Sequence, residues 1–180
     1  MNLFYLSKDQ TECATLHCDK HVVKMIIEYA QLMSTAHRML DGEEYEGRTK
    51  LNRRIRRWKH PNETMEETLY KASHINHPTA VWARESVENY QHLLALWRQL
   101  CFEYTFRYGK VHETYRKLCV ILSDVPKNIP KTKFTEPPQC MPEDVKSESV
   151  IDAYHKYYAV YKKDFAKWTD RPVPTFMNYA

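Results

Sequence analysis

Residues 17–35 constrain this chain more than any other stretch. On a helix at about 100° per residue, His17, His21, Lys24, Glu28, Gln31 and Thr35 fall within an arc of roughly 80°. Val22, Val23, Ile26, Ala30 and Met33 make the opposite side, and Met25, Ile27 and Leu32 flank the polar row. A surface helix has a broad polar face and a narrower apolar stripe. Here the proportions are reversed. Ionisable groups on an otherwise buried helix are costly unless paired, and their pKa values move. A catalytic or binding cleft is built this way. The alternative is a Lys24–Glu28 pair at i,i+4 on a half-exposed face.

The rest of the chain suits a helical frame for such a cleft. Only three Gly occur in 180 residues, against thirteen Tyr, so hairpins that need Gly-containing turns are disfavoured and long apolar periodicities favour helices. The expectation is one all-α domain over 1–180, a compact helical bundle with a charged insertion at 42–73 and a Pro-rich loop at 123–147. A first helix runs from a cap at Asp9 or Thr11 to about Leu40, where Asp41-Gly42 stops it. A second opens at His77-Pro78 and runs to about Tyr108. A third covers Lys110–Leu122 and a fourth about Glu148–Trp168. The five Cys are odd in number and show no CxxC pairing, which argues against a disulfide framework and a Cys-type zinc site. No apolar run is long enough for a membrane span and no signal peptide opens the chain, so a cytoplasmic location is expected.

Three groups of residues carry candidate chemistry. His21, Lys24 and Glu28 span about 10 Å of helix. A carboxylate there would activate water or stabilise a developing cation, and an amine would attack a sugar aldehyde carbon as a Schiff-base nucleophile. His17 and His21 at i,i+4 also match the spacing of two helical metal ligands, with His74 or His77 as the third. The Glu of HExxH is absent, however, and Lys24 would repel a cation. No metal or other cofactor is therefore expected. His74 and His77, ahead of the second helix, and Arg84 upon it form a candidate phosphate site. Last, Arg48, Lys50, Arg53, Arg54, Arg56, Arg57 and Lys59 with Trp58 make a run suited to gripping phosphates and stacking on bases.

Two resemblances attach to these residues. HCDKHVVKMIIEYAQLMSTAHRMLDG, NHPTAVWARESVENY, FTEPPQCMP and KWTDRPVP look like a group of short phage-encoded proteins, which would place the chain in a host cytoplasm. More remotely, the layout resembles the pyrimidine-dimer DNA glycosylases of phages and bacteria. The matching features are Met1-Asn2-Leu3, His17, Glu28, the His-Pro-opened helix ending EYTFRYG, and the Arg171, Pro172, Tyr179 segment. The resemblance implies an all-α enzyme whose N-terminal amine attacks a damaged nucleotide's sugar carbon with help from a Glu, on kinked double-stranded DNA. Ile27 stands where that family has an Arg before its Glu. Asn2 is too large for efficient Met removal, so the amine would be that of Met1, with Lys24 as the fallback nucleophile.

The expected function is thus a base-excision glycosylase, with or without strand cleavage, using Glu28, Lys24 or Met1, and His17 and His21 to orient or protonate. DNA contacts would come from the 48–60 flap, Arg84, His74 and His77. Two alternatives remain: a nucleotide or modified-base enzyme, including a metal-dependent hydrolase built on His17, His21 and His77, and a non-catalytic DNA-binding module.

Overall fold

The computed structural model describes residues 1–178. Seven α-helices and one antiparallel hairpin make it up: α1 Gln10–Leu16, α2 Asp19–Asp41, β1 Glu43–Arg48, β2 Arg54–Lys59, α3 Glu63–Thr68, α4 Pro78–Glu85, α5 Val87–Tyr108, α6 Glu113–Leu118 and α7 Val150–Tyr161. The architecture is therefore mixed, and the all-α expectation is corrected by β1 and β2. No helix among the described residues is long and apolar enough to cross a membrane.

The hairpin arises where sequence periodicity is weakest. Charge supplies what apolar alternation does not: register sets Glu44 opposite Trp58 and Glu46 opposite Arg56, while Arg56 forks onto Glu44 through two 2.6 Å bonds. Arg54 lies 3.4 Å from Glu46. The turn needs no glycine because Asn52 takes the left-handed conformation at φ 58°. Gly42, which joins α2 to β1, is needed for space instead. A Cβ there would lie 2.4 Å from the Arg38 carbonyl oxygen and 2.9 Å from that of Lys59. Gly42→Ala is expected to cost about 1–3 kcal/mol, as overpacking does. Gly47→Ala, whose Cβ meets only the flexible Arg57 stem at 3.0 Å, should cost much less. Urea unfolding of the two variants checks this.

Two expected helices are each broken once. The first stops at His17 and restarts at Asp19, with His17 and Cys18 in extended backbone between α1 and α2. Asp9 caps α1, accepting the Glu12 amide. The second breaks at extended Ser86, whose hydroxyl caps α5 and also donates to the carbonyls of Thr132 and Lys133. That break seats the Pro-rich loop. The third and fourth helices are shorter than expected, as α6 and α7.

α2 packs on α4 and α5, and α1 on α5, around a core that includes Ile26, Met33, Leu93 and Trp97. Leu3 to Leu6 run through this core without helix or strand. Backbone groups of the segment are paired by side chains: the Phe4 amide donates to the Tyr29 hydroxyl and His155 Nε2 to the Leu6 carbonyl at 2.8 Å. This buried lead fixes where Met1 lies.

Candidate active site

Met1 enters a small cavity of about 200 Å³ beside the middle of α2. Its walls include Asn2, Phe4, His21, Lys24, Glu28 and Lys162. The Met1 amine sits 3.6 Å from Glu28 Oε2, and Lys24 Nζ is 3.1 Å from Glu28 Oε1. The two residues differ in setting. The Met1 side chain is only 4% exposed, whereas that of Lys24 is 68% exposed. Glu28, with a side chain 15% exposed, pairs with both amines.

The polar row therefore divides into three. Its middle, His21, Lys24 and Glu28, lines the cavity. His17 turns into the core instead, donating from Nδ1 to the Cys13 carbonyl at 2.7 Å and accepting from Tyr29 at Nε2. Burial lowers its pKa to about 4. Thr35 is also fully buried, and its hydroxyl accepts the Ser73 amide. An orienting or protonating role for His17 is thus corrected: its ring nitrogens are both engaged in holding α1, α2 and the N-terminal segment together.

His21 borders the cavity as a neutral group. Phe4 stacks on it at 4.2 Å, Tyr158 hydrogen-bonds its Nδ1, and burial with the charges of His17, Lys162 and Lys24 lowers its pKa to about 3. It forms a wall rather than an acid. Lys162, just past α7, is a cavity-lining cation that the helix pattern of residues 17–35 had no means of revealing, because it arrives from the far end of the chain.

The residues ahead of α4 stand nearby. Burial and the positive charges of the Met1 amine and His74 lower the pKa of His77, while Glu28 acts in the opposite sense. His77 Nδ1 caps α4 by accepting the Thr79 amide, so that amide is already satisfied. His74 is exposed and sits at a positive φ of 50°. Arg84 is not a phosphate clamp: Nη1 donates to the carbonyls of Ile75 and Ala80, both at 2.8 Å, and straps this segment to α4.

The basic run lies elsewhere. It occupies the hairpin beyond the end of α2, and Asp41, the last residue of α2, is 13 residues beyond Glu28, about 20 Å along the axis. Trp58 is 6% exposed and its carbonyl accepts from Arg38, so it cannot stack on a base. Arg54 and Arg56 are paired with Glu46 and Glu44. Among the described residues Arg53 and Arg57 make no ion pair and remain available to phosphates.

The expected ligand set His17, His21 and His77 is not assembled. Among the described residues, the one group of three or more His, Cys, Asp or Glu side chains close enough to share an ion is a different one. In the tail, Arg171 forks onto Glu103 with bonds of 3.0 and 2.7 Å, and the same carboxylate takes Arg107. These groups are structural, and Tyr179 lies outside the described residues. Comparison of the chain with family models, with curated proteins and with solved structures returned no match.

Proposed function

We propose that this protein is a base-excision enzyme acting on double-stranded DNA, in which the Met1 amine is the nucleophile and Glu28 its proton acceptor. The single observation that carries the reading is the Met1 amine 3.6 Å from a carboxylate, at a small cavity that both residues line. At about 200 Å³ the cavity is smaller than the roughly 300–1,000 Å³ that holds a whole small molecule. It suits one sugar presented by a larger substrate.

In this reading the amine nitrogen bonds to C1′ of the nucleotide as the C1′–base bond breaks. The leaving base keeps the bonding electrons and takes up a proton. Glu28 accepts the proton that the amine gives up and passes it to O4′ as the C1′–O4′ bond breaks; the nitrogen lone pair forms the C=N bond, and the product is a protonated imine between Met1 and the opened sugar. Loss of the C2′ proton then allows the 3′ phosphate to depart. Lys24 holds the Glu28 carboxylate from the solvent side, and Lys162 faces the phosphates. Arg53 and Arg57 stand on the hairpin that follows α2, Arg53 at its turn and Arg57 opposite Tyr45, and would supply further phosphate contacts along the duplex.

Borohydride trapping on duplexes carrying an abasic site or a pyrimidine dimer tests the reading. A secondary amine mapped by mass spectrometry to the Met1 nitrogen is expected. Glu28→Gln should slow its formation about 100-fold, within the usual range for a lost proton acceptor. Neutralising Arg53 and Arg57 should flatten the salt dependence by about 0.9 per lost contact. No adduct on any such duplex, with a folded protein that still binds DNA, would leave only a binding module. An adduct at Lys24 would transfer the chemistry to the open amine and overturn the assignment to Met1.

A further inference from the structure

A cavity of about 970 Å³ lies at the other end of α2 from Met1, and His37, Asp41 and His60 line it together with Asn62, Gln91 and Asp124. We propose that His37, Asp41 and His60 are the protein ligands of a divalent first-row transition metal whose remaining coordination positions open into this cavity. The site is separate from the Met1 amine and does not rest on the DNA reading.

Two buried and unsatisfied nitrogens point to a missing ligand. His37 Nδ1 and His60 Nε2 have no hydrogen-bond partner, although the residues are only 1% and 5% exposed. Leaving such atoms unpaired costs about 1–3 kcal/mol each, and native folds rarely tolerate it without a reason. One donor atom from each of His37, Asp41 and His60 lies within 4.8 Å of the other two. Donors on a tetrahedral ion with roughly 2.0–2.1 Å bonds are about 3.3 Å apart, so small side-chain rotations complete the geometry.

The ring of His37 is already set for the task. Its Nε2 faces the Asp124 carbonyl oxygen at 3.1 Å and the Tyr90 hydroxyl at 2.9 Å. A carbonyl only accepts, so the proton resides on Nε2 and Nδ1 presents a bare lone pair. Fixing a ligating imidazole through a carbonyl on its other nitrogen is the usual outer support of a metal site. Burial also lowers the pKa of His37 to about 4, which keeps the ring neutral as a ligand must be. Asp41 follows at i,i+4 on the same helix face. Its oxygens are held by the backbone amides of Lys127 and Asn128 at 2.8 and 3.0 Å.

His60 is the ligand that must move. The Asn62 amide donates to its Nδ1 at 3.1 Å, which leaves the proton on Nε2. To ligate through Nε2, the ring shifts its proton to Nδ1 and turns away from that amide. His37 and Asp41 are thus the pre-set pair, and His60 closes on the ion. Two imidazoles and one carboxylate favour Zn²⁺, Co²⁺, Fe²⁺ or Mn²⁺ over Mg²⁺ or Ca²⁺, which prefer oxygen ligands alone. The carboxylates of Asp41 and Asp124 supply negative charge, with Lys127 also on the cavity wall.

The test uses the full chain without a polyhistidine tag, stripped with a chelator and titrated calorimetrically with Zn²⁺ and Mg²⁺. One equivalent of Zn²⁺ and no comparable Mg²⁺ binding are expected. His37→Ala should weaken Zn²⁺ at least tenfold, His60→Ala less than His37→Ala, and His21→Ala not at all. In the unmodified protein, Co²⁺ should shift the His37 and His60 ring resonances, a readout that needs no variant. Zn²⁺ affinity unchanged by His37→Ala, or Co²⁺ shifts confined to His21 and His77, would overturn the assignment. So would the absence of a stoichiometric site.

Discussion

Acidification from neutral pH to about 5 is expected to remove about 6 kcal/mol of folding stability, at roughly 1.36 kcal/mol per pH unit for each of three buried histidines. His17 and His37 are held at about 4 and His21 at about 3, in each case chiefly by burial. These values lie below the unfolded reference of about 6.5. Between the two, the unfolded chain binds protons that the native protein refuses, so stability falls as the pH drops through that window. Above the unfolded value the histidines add no further pH dependence. Below about 4 the carboxylates of Asp19, Glu66 and Glu103, whose pKa values are lowered by hydrogen bonds and Arg partners, add their own loss. Because a domain of this size has about 5–15 kcal/mol in total, at least about two fifths of its stability is gone near pH 5. Urea unfolding between pH 7.5 and 4.5 reads this directly. Equal midpoints at pH 7 and pH 5 would mean that these rings are protonated in the fold.

The same three histidines show how far the sequence could be read. Apolar spacing located α2 and α5, because a period of 3.6 survives whatever the helix packs against. It also brought Lys24 and Glu28 to one cavity. It could not separate His21 at that cavity from His17 in the core, because the chain kinks at Cys18 and the arc computed for one continuous helix no longer applies. The hairpin was hidden for a different reason. β1 and β2 are held by Glu–Arg pairs between segments about a dozen residues apart, and each segment alone reads as a solvated charge run. The His37 and Asp41 pair at the end of α2 does not stand out in the sequence, because two ligand-type residues at i,i+4 are common on helices. Its third member, His60, comes beside it only once the hairpin reverses the chain, so no local pattern contained the cluster.

That reversal depends on one residue, and Arg38→Met is expected to destabilise the fold by about 3–5 kcal/mol, the scale for taking the donor from several backbone carbonyls at about 1–3 kcal/mol each. The Arg38 side chain is 4% exposed. Nε donates to the Tyr70 carbonyl at 2.7 Å, Nη1 to the Trp58 carbonyl at 3.0 Å and to the Glu66 carboxylate. Nη2 donates to the carbonyls of Glu66 and Leu69 at 2.8 and 3.0 Å. One planar fork thus ties β2, α3 and the segment after it to the last turns of α2. Methionine fills much of the volume but removes the Arg38 donor from four carbonyls and leaves the Glu66 carboxylate with the His60 amide alone, and lysine cannot reproduce the fork, so Arg38→Lys should recover little. Glu66 also accepts the His60 amide at 2.7 Å, so loss of Arg38 loosens the very turn that presents His60. Urea unfolding measures the global cost. Amide hydrogen exchange should show the largest loss of protection at residues 43–72, with the centre of α5 least affected. A uniform change across the chain would show that Arg38 acts on the core as a whole instead of on this junction.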